Sequence, residues 1–325
     1  MRLLVLDGTQ FVGRALVEAA LAAGDQVTLF HRGVTNAALF PGCEHLLGDR
    51  DGDLEALRGG AWDACVDVSG YLPRVVRSSA ELLRDAVGRY VFVSTISVFA
   101  DLAVPRDESG PVQVAADPAS EDVMADYGAL KALCEDVVRE VLGERSTIVR
   151  PGFVAGPHDH TGRLTWWVHR AARGGRIVVP RSIAARMQFI DARDLADFTL
   201  LCARAPHAGT FNATGPLPAV SLLDVLHTAA ALTGETVTPV VVDDAVLTAE
   251  GLGFDDLPLW VDDAAWAAWA EVVVAKAIAA GLRFRPLVET VEGALRQAST
   301  TDAFGLTPER ERELLATLDR EGQPG

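Results

Sequence analysis

Tyr127 and Lys131 stand four residues apart in Tyr127-Gly128-Ala129-Leu130-Lys131, at the head of an amphipathic stretch that runs to Leu142. On a helix that spacing puts the phenol and the ammonium on one face. Tyrosine is a weak acid of pKa about 10; a neighbouring cation favours the phenolate and moves the group towards the range useful for proton transfer at neutral pH. The pair can act as acid or base. A lone Y-x-x-x-K also recurs on solvated helices, so its context decides. Upstream, Val91-Phe92-Val93-Ser94-Thr95-Ile96-Ser97-Val98-Phe99 reads as a buried strand ending in hydroxyls. Thr95 and Ser97 then fall at the carboxyl edge of a sheet, where ligand crevices of α/β proteins lie, and a substrate oxygen could be held there.

A second constellation opens the chain. The apolar run Arg2 to Leu6 leads into Asp7-Gly8-Thr9-Gln10-Phe11-Val12-Gly13 and then a helical pattern. Dinucleotide folds use such a strand, turn and helix to set a pyrophosphate against helical N–H groups. A strict G-x-x-G-x-x-G asks for glycine at positions 7, 10 and 13, which Gly13 alone satisfies, although Gly8 still permits an unusual turn. On this motif alone an ordinary strand-to-helix turn is the alternative. Asp7 also opposes a pyrophosphate unless its carboxylate turns away or is hydrogen bonded.

The next strand ends Phe30-His31-Arg32-Gly33, without the acidic residue that an NAD site places against the ribose hydroxyls. Arg32 suits a 2′-phosphate, so NADP is expected and NAD is the lesser candidate. Asp49 and Arg50 are expected beside the adenine, and Ser69 and Gly70 near the ribose and pyrophosphate; all four also read as turn chemistry.

These groups need a scaffold. Leu3 to Leu6, Gln26 to Phe30, Ala64 to Val68, Tyr90 to Val93 and Thr147 to Val149 read as buried strands. Val12 to Ala23, Arg74 to Val87 and Tyr127 to Leu142 read as helices between them. Alternation of this kind implies an α/β, doubly wound parallel sheet of Rossmann type covered on both faces. It is assigned to residues 1–150, catalytic helix included. Residues 151–325 are expected to form a smaller substrate-binding region that returns some elements to the sheet. Within it, Met187 to Ile190 and Thr236 to Val242 read as strands, and helices are expected from Ser221, over Ala264 to Ala280 and Pro286 to Gln297, and after Thr307 as N-cap with Pro308 at the first position.

Composition narrows the partners. A chain of 325 residues with 49% hydrophobic and 23% charged residues is an ordinary globular protein. Its net charge of −16 disfavours nucleic acid. No apolar run reaches the roughly 18 residues of a membrane span, and a strand follows Met1 directly, so a cytoplasmic location is expected. Cys43, Cys65, Cys134 and Cys202 are widely spaced and are expected to be buried thiols. His158 and His160 lack a third ligand at metal spacing, and no metal is expected. The Ala-, Val- and Arg-rich, Lys-poor usage resembles translation from a GC-rich bacterial genome.

Taken in order, the glycine turn, the V-F-V-S-T-x-S-V-F strand end, the Y-x-x-x-K helix and R-P-G-x-x-x-G-P at Arg150 to Pro157 resemble the extended short-chain dehydrogenase/reductase superfamily of NAD-dependent epimerase/dehydratase-like proteins, over the whole chain. More narrowly, the chain is similar to actinobacterial isoflavone-reductase-like reductases in G-T-x-F-x-G, Gln188 to Ala196, Phe211 to Gly215 and Gly281 to Leu287. The resemblance implies that Thr95 holds the substrate oxygen and Tyr127 transfers the proton. It further implies that Lys131 binds the nicotinamide ribose while lowering the phenol's pKa, and that Pro151, Gly152, Phe153 and Val154 border the nicotinamide. Asp7, Gln10, a threonine at the catalytic hydroxyl and a long stretch from Thr95 to Tyr127, expected to cover the site, depart from the pattern.

Nucleotide-sugar enzymes of this superfamily carry a phosphate-binding arginine where Met187 aligns, and Arg186 would face the other side of the strand. His158, Trp166, Trp167, Phe153 and Phe189, with Ser97, are instead expected to line a pocket for a small ketone, imine or enone. The reaction expected is hydride transfer from NADPH to a carbonyl or imine carbon, possible in specialised metabolism, with a homodimer among the assemblies open to the chain. An epimerase or dehydratase on a tightly held cofactor and a non-catalytic NADP sensor are the alternatives.

Overall fold

Each short apolar run of the first half becomes a strand, because only burial on both faces accommodates runs such as Leu3-Leu4-Val5-Leu6, in which every side chain is fully buried. The computed structural model describes residues 1–204, 208–297 and 304–320. In chain order the elements are β1 (Arg2–Leu6), α1 (Phe11–Ala22), β2 (Gln26–His31), β3 (Glu44–Leu47), β4 (Trp62–Asp67), α2 (Pro73–Leu83), β5 (Val87–Val93), α3 (Tyr127–Leu142), β6 (Ser146–Pro151) and β7 (Phe153–Ala155). They continue with α4 (Arg163–Ala171), β8 (Gly175–Pro180), α5 (Arg181–Ala185), β9 (Phe189–Asp191), α6 (Ala192–Arg204), β10 (Gly209–Ala213), α7 (Leu222–Thr233), β11 (Val237–Val242), α8 (Asp244–Ala249), α9 (Ala275–Ala279), α10 (Leu287–Leu295) and α11 (Pro308–Arg320).

The chain divides into two units. The first comprises Met1–Gly152, Ala192–Thr214 and Val272–Arg283, and the second Phe153–Asp191, Gly215–Glu271 and the chain from Phe284. In the first unit seven parallel strands run in the order β10-β6-β5-β4-β1-β2-β3. The order reverses between β1 and β4, and a doubly wound sheet opens its ligand crevice beyond the carboxyl ends of such a pair. On one face α2 and α3 cover the sheet through Val76, Ala80 and Leu83, and through Cys134, Val137, Val138 and Leu142. On the other, α1 packs on α6. Cys65, Cys134 and Cys202 are buried and Cys43 is half-buried.

A charged cluster fixes α3 within this unit. Arg150 on β6 grips Glu135 with Nε donating to Oε1 at 2.8 Å and Nη2 to Oε2 at 2.6 Å. Ser94 Oγ donates to the same carboxylate at 2.6 Å, and Arg139 at 2.7 Å. Burial opposes the charge on Glu135, but these partners outweigh it and hold the carboxyl below the usual carboxylate range. Tyr127, Lys131, Glu135 and Arg139 follow at intervals of four along α3, so the grip on Glu135 sets the rotation of the stripe that carries the first two.

In the second unit β8 pairs with β11 and β7 with β9, all parallel. Ser221 starts α7 with a capping box to Asp224, and Thr307 Oγ1 accepts from Arg310 N ahead of Pro308. The expected strand at Met187 to Ile190 starts later, at Phe189, with Met187 paired singly to Val220. The helix expected over Ala264 to Ala280 is not continuous. It breaks into 3-10 turns at Ala264–Trp266 and Trp269–Glu271, and only α9 is helical. The β-branched run Val272-Val273-Val274 interrupts it; Val272 and Val274 are buried, and Val273 N donates to Arg106 O at 2.9 Å. Among the described residues no helix is long and apolar enough to cross a membrane.

Removing one partner of a buried ion pair strands the other. Arg150→Leu is therefore expected to cost about 3 kcal/mol of stability, read as a lowered urea midpoint. An unchanged midpoint would show that the cluster carries no such role.

Candidate active site

The turn after β1 is built by close packing. Asp7 and Gly8 both take positive φ, 81° and 109°. A Cβ on Gly8 would lie 2.9 Å from Leu29 Cδ2, and one on Gly13 would lie 2.8 Å from the Gly8 Cα. Both glycines thus let α1 settle onto the turn, while a left-handed Asp7 costs strain that aspartate tolerates better than most residues. Thr9 is buried and its hydroxyl donates to Thr35 O at 2.7 Å, with Asn36 Nδ2 donating back to Thr9 O at 3.0 Å. Phe11 is buried and Val12 half-buried, so from this turn Asp7, Thr9 and Gln10 line the adjoining cavity. No side chain caps α1, and the start of a helix favours an anion.

That cavity has a volume of about 370 Å³ and lies at the carboxyl ends of β1, β2 and β4, bordered by His31, Arg32, Asp49, Arg50, Ser69 and Tyr71. Arg32 is exposed at the end of β2. Arg50, expected beside the adenine, borders this cavity with its guanidinium engaged by protein groups. Its guanidinium is bound to Asp67 at 2.6 and 2.7 Å, Ser79 Oγ at 2.9 Å and Ser69 Oγ at 3.2 Å. Tyr90 donates to the same Asp67 at 2.8 Å, so Arg50 braces the cavity floor and has little capacity left for a ligand. The Asp49 carboxylate likewise accepts from Asp51 N in its own turn at 3.0 Å.

Across the sheet edge, Thr95 Oγ1 accepts from Ser97 N at 3.1 Å and starts a 3-10 turn, leaving its hydroxyl proton to be donated. Gly128 brings the start of α3 against that turn: a Cβ there would lie 2.1 Å from Ser97 O. Tyr127, half-buried, therefore begins its helix beside the Thr95 and Ser97 segment. Lys131 Nζ donates to Gly70 O at 2.9 Å and Val93 O at 2.7 Å, and sits 4.3 Å from the Phe92 ring centroid. Burial pushes its ammonium down to about 8. Gly70 has no room for a side chain, its Cβ meeting Phe92 at 2.6 Å. Tyr71, which the sequence reading passed over, faces Tyr127 at 6.4 Å between ring centroids and borders the cavity; its one signal was its place directly after Ser69-Gly70.

The aromatic residues expected around a substrate belong to the second unit, and two of them pack its core. Trp167 is fully buried, with its indole N–H donated to Pro258 O at 2.6 Å, and Trp166 is 4% exposed and edge-on to it at 4.6 Å. A pocket role for Trp167 is thereby corrected. Phe153 meets Trp269 edge-on at 5.0 Å beneath the Arg163 guanidinium at 5.5 Å, with Val154 next to it on β7. Phe189 is buried on β9, and His158 takes a φ of 65° in the loop before α4. Met187 is fully buried, and Arg186 pairs with Glu271 at 3.3 Å. In the first unit, Pro151 ends β6 and Gly152 has no room for a Cβ, which would lie 2.4 Å from Thr214 Oγ1.

His31 joins the cavity to a hydrogen-bonded chain. Gly33 N donates to His31 Nδ1 at 2.9 Å, so the proton is assigned to Nε2, which meets His45 Nδ1 at 2.8 Å; His45 Nε2 in turn lies 3.0 Å from Phe40 O. Both rings are neutral in this arrangement. Burial, then His45, lowers the pKa of His31 from its ordinary 6.5, against the pull of Asp7. A lowered folded value means that the unfolded chain takes up the proton first, so this stability is present above pH 6.5 and is lost as pH falls. Urea unfolding is expected to show less loss from pH 7 to 5 in His31→Asn than in the parent, with asparagine still able to accept from Gly33 N. Parallel pH profiles would contradict this account of the pair.

Two proteins, one solved structure and one family model are similar to this chain. The chain is 28% identical over 212 residues to the Arabidopsis thaliana chloroplast stem-loop binding protein of 41 kDa b, covering 60% of this chain and 53%, about half, of that relative's length. It is 29% identical over 253 residues to the 2-alkyl-3-oxoalkanoate reductase of Stenotrophomonas maltophilia strain K279a, covering 70% of this chain and 74% of the other. The crystal structure of the Bordetella bronchiseptica enzyme WbmH in complex with NAD+ shares the fold with a TM-score of 0.67 at 19% identity, over 90% of this chain and 97% of that one. Residues 73–213 match the model of the NAD dependent epimerase/dehydratase family. That match spans α3 and the strands on either side of it, so over this segment the chain is similar to the NAD dependent epimerase/dehydratase family.

Proposed function

We propose that this enzyme uses NADPH to reduce a carbonyl or imine carbon of a small, non-nucleotide substrate. The observation that carries the reading is Lys131, a buried ammonium held on Gly70 O and Val93 O one helical turn from Tyr127. A lysine three-donor head with two donors committed has one left for a ribose hydroxyl. Its charge also favours the Tyr127 phenolate.

A nicotinamide cofactor supplies the hydride in this chemistry. The residues fit its adenosine half: a polar cavity of about 370 Å³ meets the uncapped N-terminus of α1, and Arg32 stands exposed at the rim where a 2′-phosphate would need a cation. Asp7, Thr9 and Gln10 border it, Ser69 and Gly70 flank the turn after β4, and Pro151 and Gly152 would border the nicotinamide with Phe153 and Val154. Thr95 donates its hydroxyl proton to the substrate oxygen. Tyr127 delivers the proton that completes the alcohol or amine, and Lys131 eases that transfer. The second unit takes the substrate.

Support for a small ketone comes from the relative named a 2-alkyl-3-oxoalkanoate reductase and from the buried, uncharged Met187, which offers nothing to a diphosphate. The narrower likeness to isoflavone-reductase-like reductases belongs to the same reading. A second reading, favoured by the family match, is epimerisation on a tightly held cofactor with no net consumption of it. A stem-loop binding role, after the chloroplast relative, is opposed by the net charge of −16.

Tyr127→Phe deletes a proton donor and little contact area. It is expected to lower turnover by about 10² to 10⁴ while leaving the NADPH Kd within about twofold. Arg32→Gln is expected to weaken NADPH and spare NADH. Undiminished turnover in the first variant, or equal effects on both cofactors in the second, would count against the assignment.

A further inference from the structure

Asp7 stands where the glycine turn has a carboxylate in place of its first glycine. Its position is set by the backbone. Leu6 pairs with Phe30 in the parallel register of β1 and β2, and Asp7 N donates to Phe30 O at 2.8 Å. Asp7 therefore lies beside His31 and one residue from Arg32, at the strand end where an acidic side chain normally meets the adenosine ribose. That acidic residue is missing from β2, and a carboxylate borders the same cavity from β1 instead.

The surroundings leave this carboxylate available. It is half-buried on the cavity wall, and among the described residues no side chain or N–H group is hydrogen bonded to it or ion-paired with it. The charged and titratable groups acting on it are His31, Arg32, Arg50 and Asp67. Of these, His31 is neutral in its bonded chain and Arg50 is already committed to Asp67. Burial pushes the carboxyl of Asp7 up, with His31, Arg32 and Arg50 opposing the rise. Arg32 is thus the one neighbour of the four whose positive charge is not spent elsewhere.

We infer that Asp7 is a specificity-determining residue for the cofactor: its carboxylate accepts hydrogen bonds from the adenosine ribose hydroxyls and works against a 2′-phosphate. Arg32 and Asp7 then pull in opposite directions. The preference for NADP conferred by the guanidinium is partial, and the enzyme binds NADH as well. Like charges brought together in a cavity open to solvent repel by enough to change affinity about tenfold or more. This inference rests on the reading of the cavity as the adenosine site.

Asp7→Asn tests it, because asparagine keeps the shape and tolerates the positive φ while removing the charge. Dissociation constants for NADPH and NADH would be measured at pH 8 by fluorescence titration of the parent, Asp7→Asn and, as a second variant for this backbone, Asp7→Gly. Both variants are expected to bind NADPH about tenfold more tightly, with NADH unchanged or weaker, so that the ratio of the two constants moves opposite to its movement in Arg32→Gln. Saturable binding with the parent's NADPH to NADH ratio in both variants would overturn the role of Asp7 and leave the adenosine site standing. Failure of the parent to bind either cofactor would overturn the adenosine site, and this inference with it.

Discussion

The pairing of Glu135 with Arg150 is the constraint on which the candidate site depends. A carboxylate taken this far from water is stable only while every lone pair is answered, and here Arg150, Arg139 and Ser94 answer it. Each partner comes from a different part of the first unit: β6, the helix itself, and the residue that precedes Thr95. One interaction therefore holds the rotation of α3 and ties it to the strand end that carries the candidate hydroxyl. Apolar packing by Val137, Val138 and Leu142 fixes how closely α3 approaches the sheet, but such contacts are non-directional and could not by themselves set which residues of the stripe point at the crevice.

A similar economy governs charge around the cavity. Several ionisable groups border it, yet most are occupied in holding the fold. Arg50 is consumed by Asp67, Asp49 by its own turn, and His31 by Gly33 and His45. What faces a ligand is then a small set, Arg32 and Asp7 with the uncapped end of α1. Lys131 is the counterpart at the other end of the site. Its ammonium is kept by backbone carbonyls rather than by a carboxylate, which leaves it close to titration.

Local pattern carried the sheet and α3 because both are written in short-range terms. Apolar runs of four to six residues mark β1, β2 and β5, and the spacing of apolar residues from Tyr127 to Leu142 matches α3 end to end. Caps at Ser221 and Thr307 were legible for the same reason. The bracing partners of Arg50 were not legible because Asp67 and Ser79 are 17 and 29 residues away, and a turn residue gives no sign of such a commitment. Trp167 could have been core or pocket until Pro258 O was seen to take its indole proton. The break at Ala264 to Ala280 follows from the burial of Val272 and Val274, a tertiary effect that helix propensity does not carry. Asp7 was visible as a departure from the glycine pattern; its meaning needed the register of β1 on β2.

The central claim is that the protein performs net reduction and not an isomerisation on a retained cofactor. The most direct measurement is stoichiometry: a panel of small ketones, imines and nucleotide sugars is offered with NADPH, and loss of its nicotinamide absorbance is compared with product formed. The account predicts one NADPH oxidised for each molecule of reduced ketone or imine. Conversion of a nucleotide sugar to its epimer with no net loss of NADPH would contradict it.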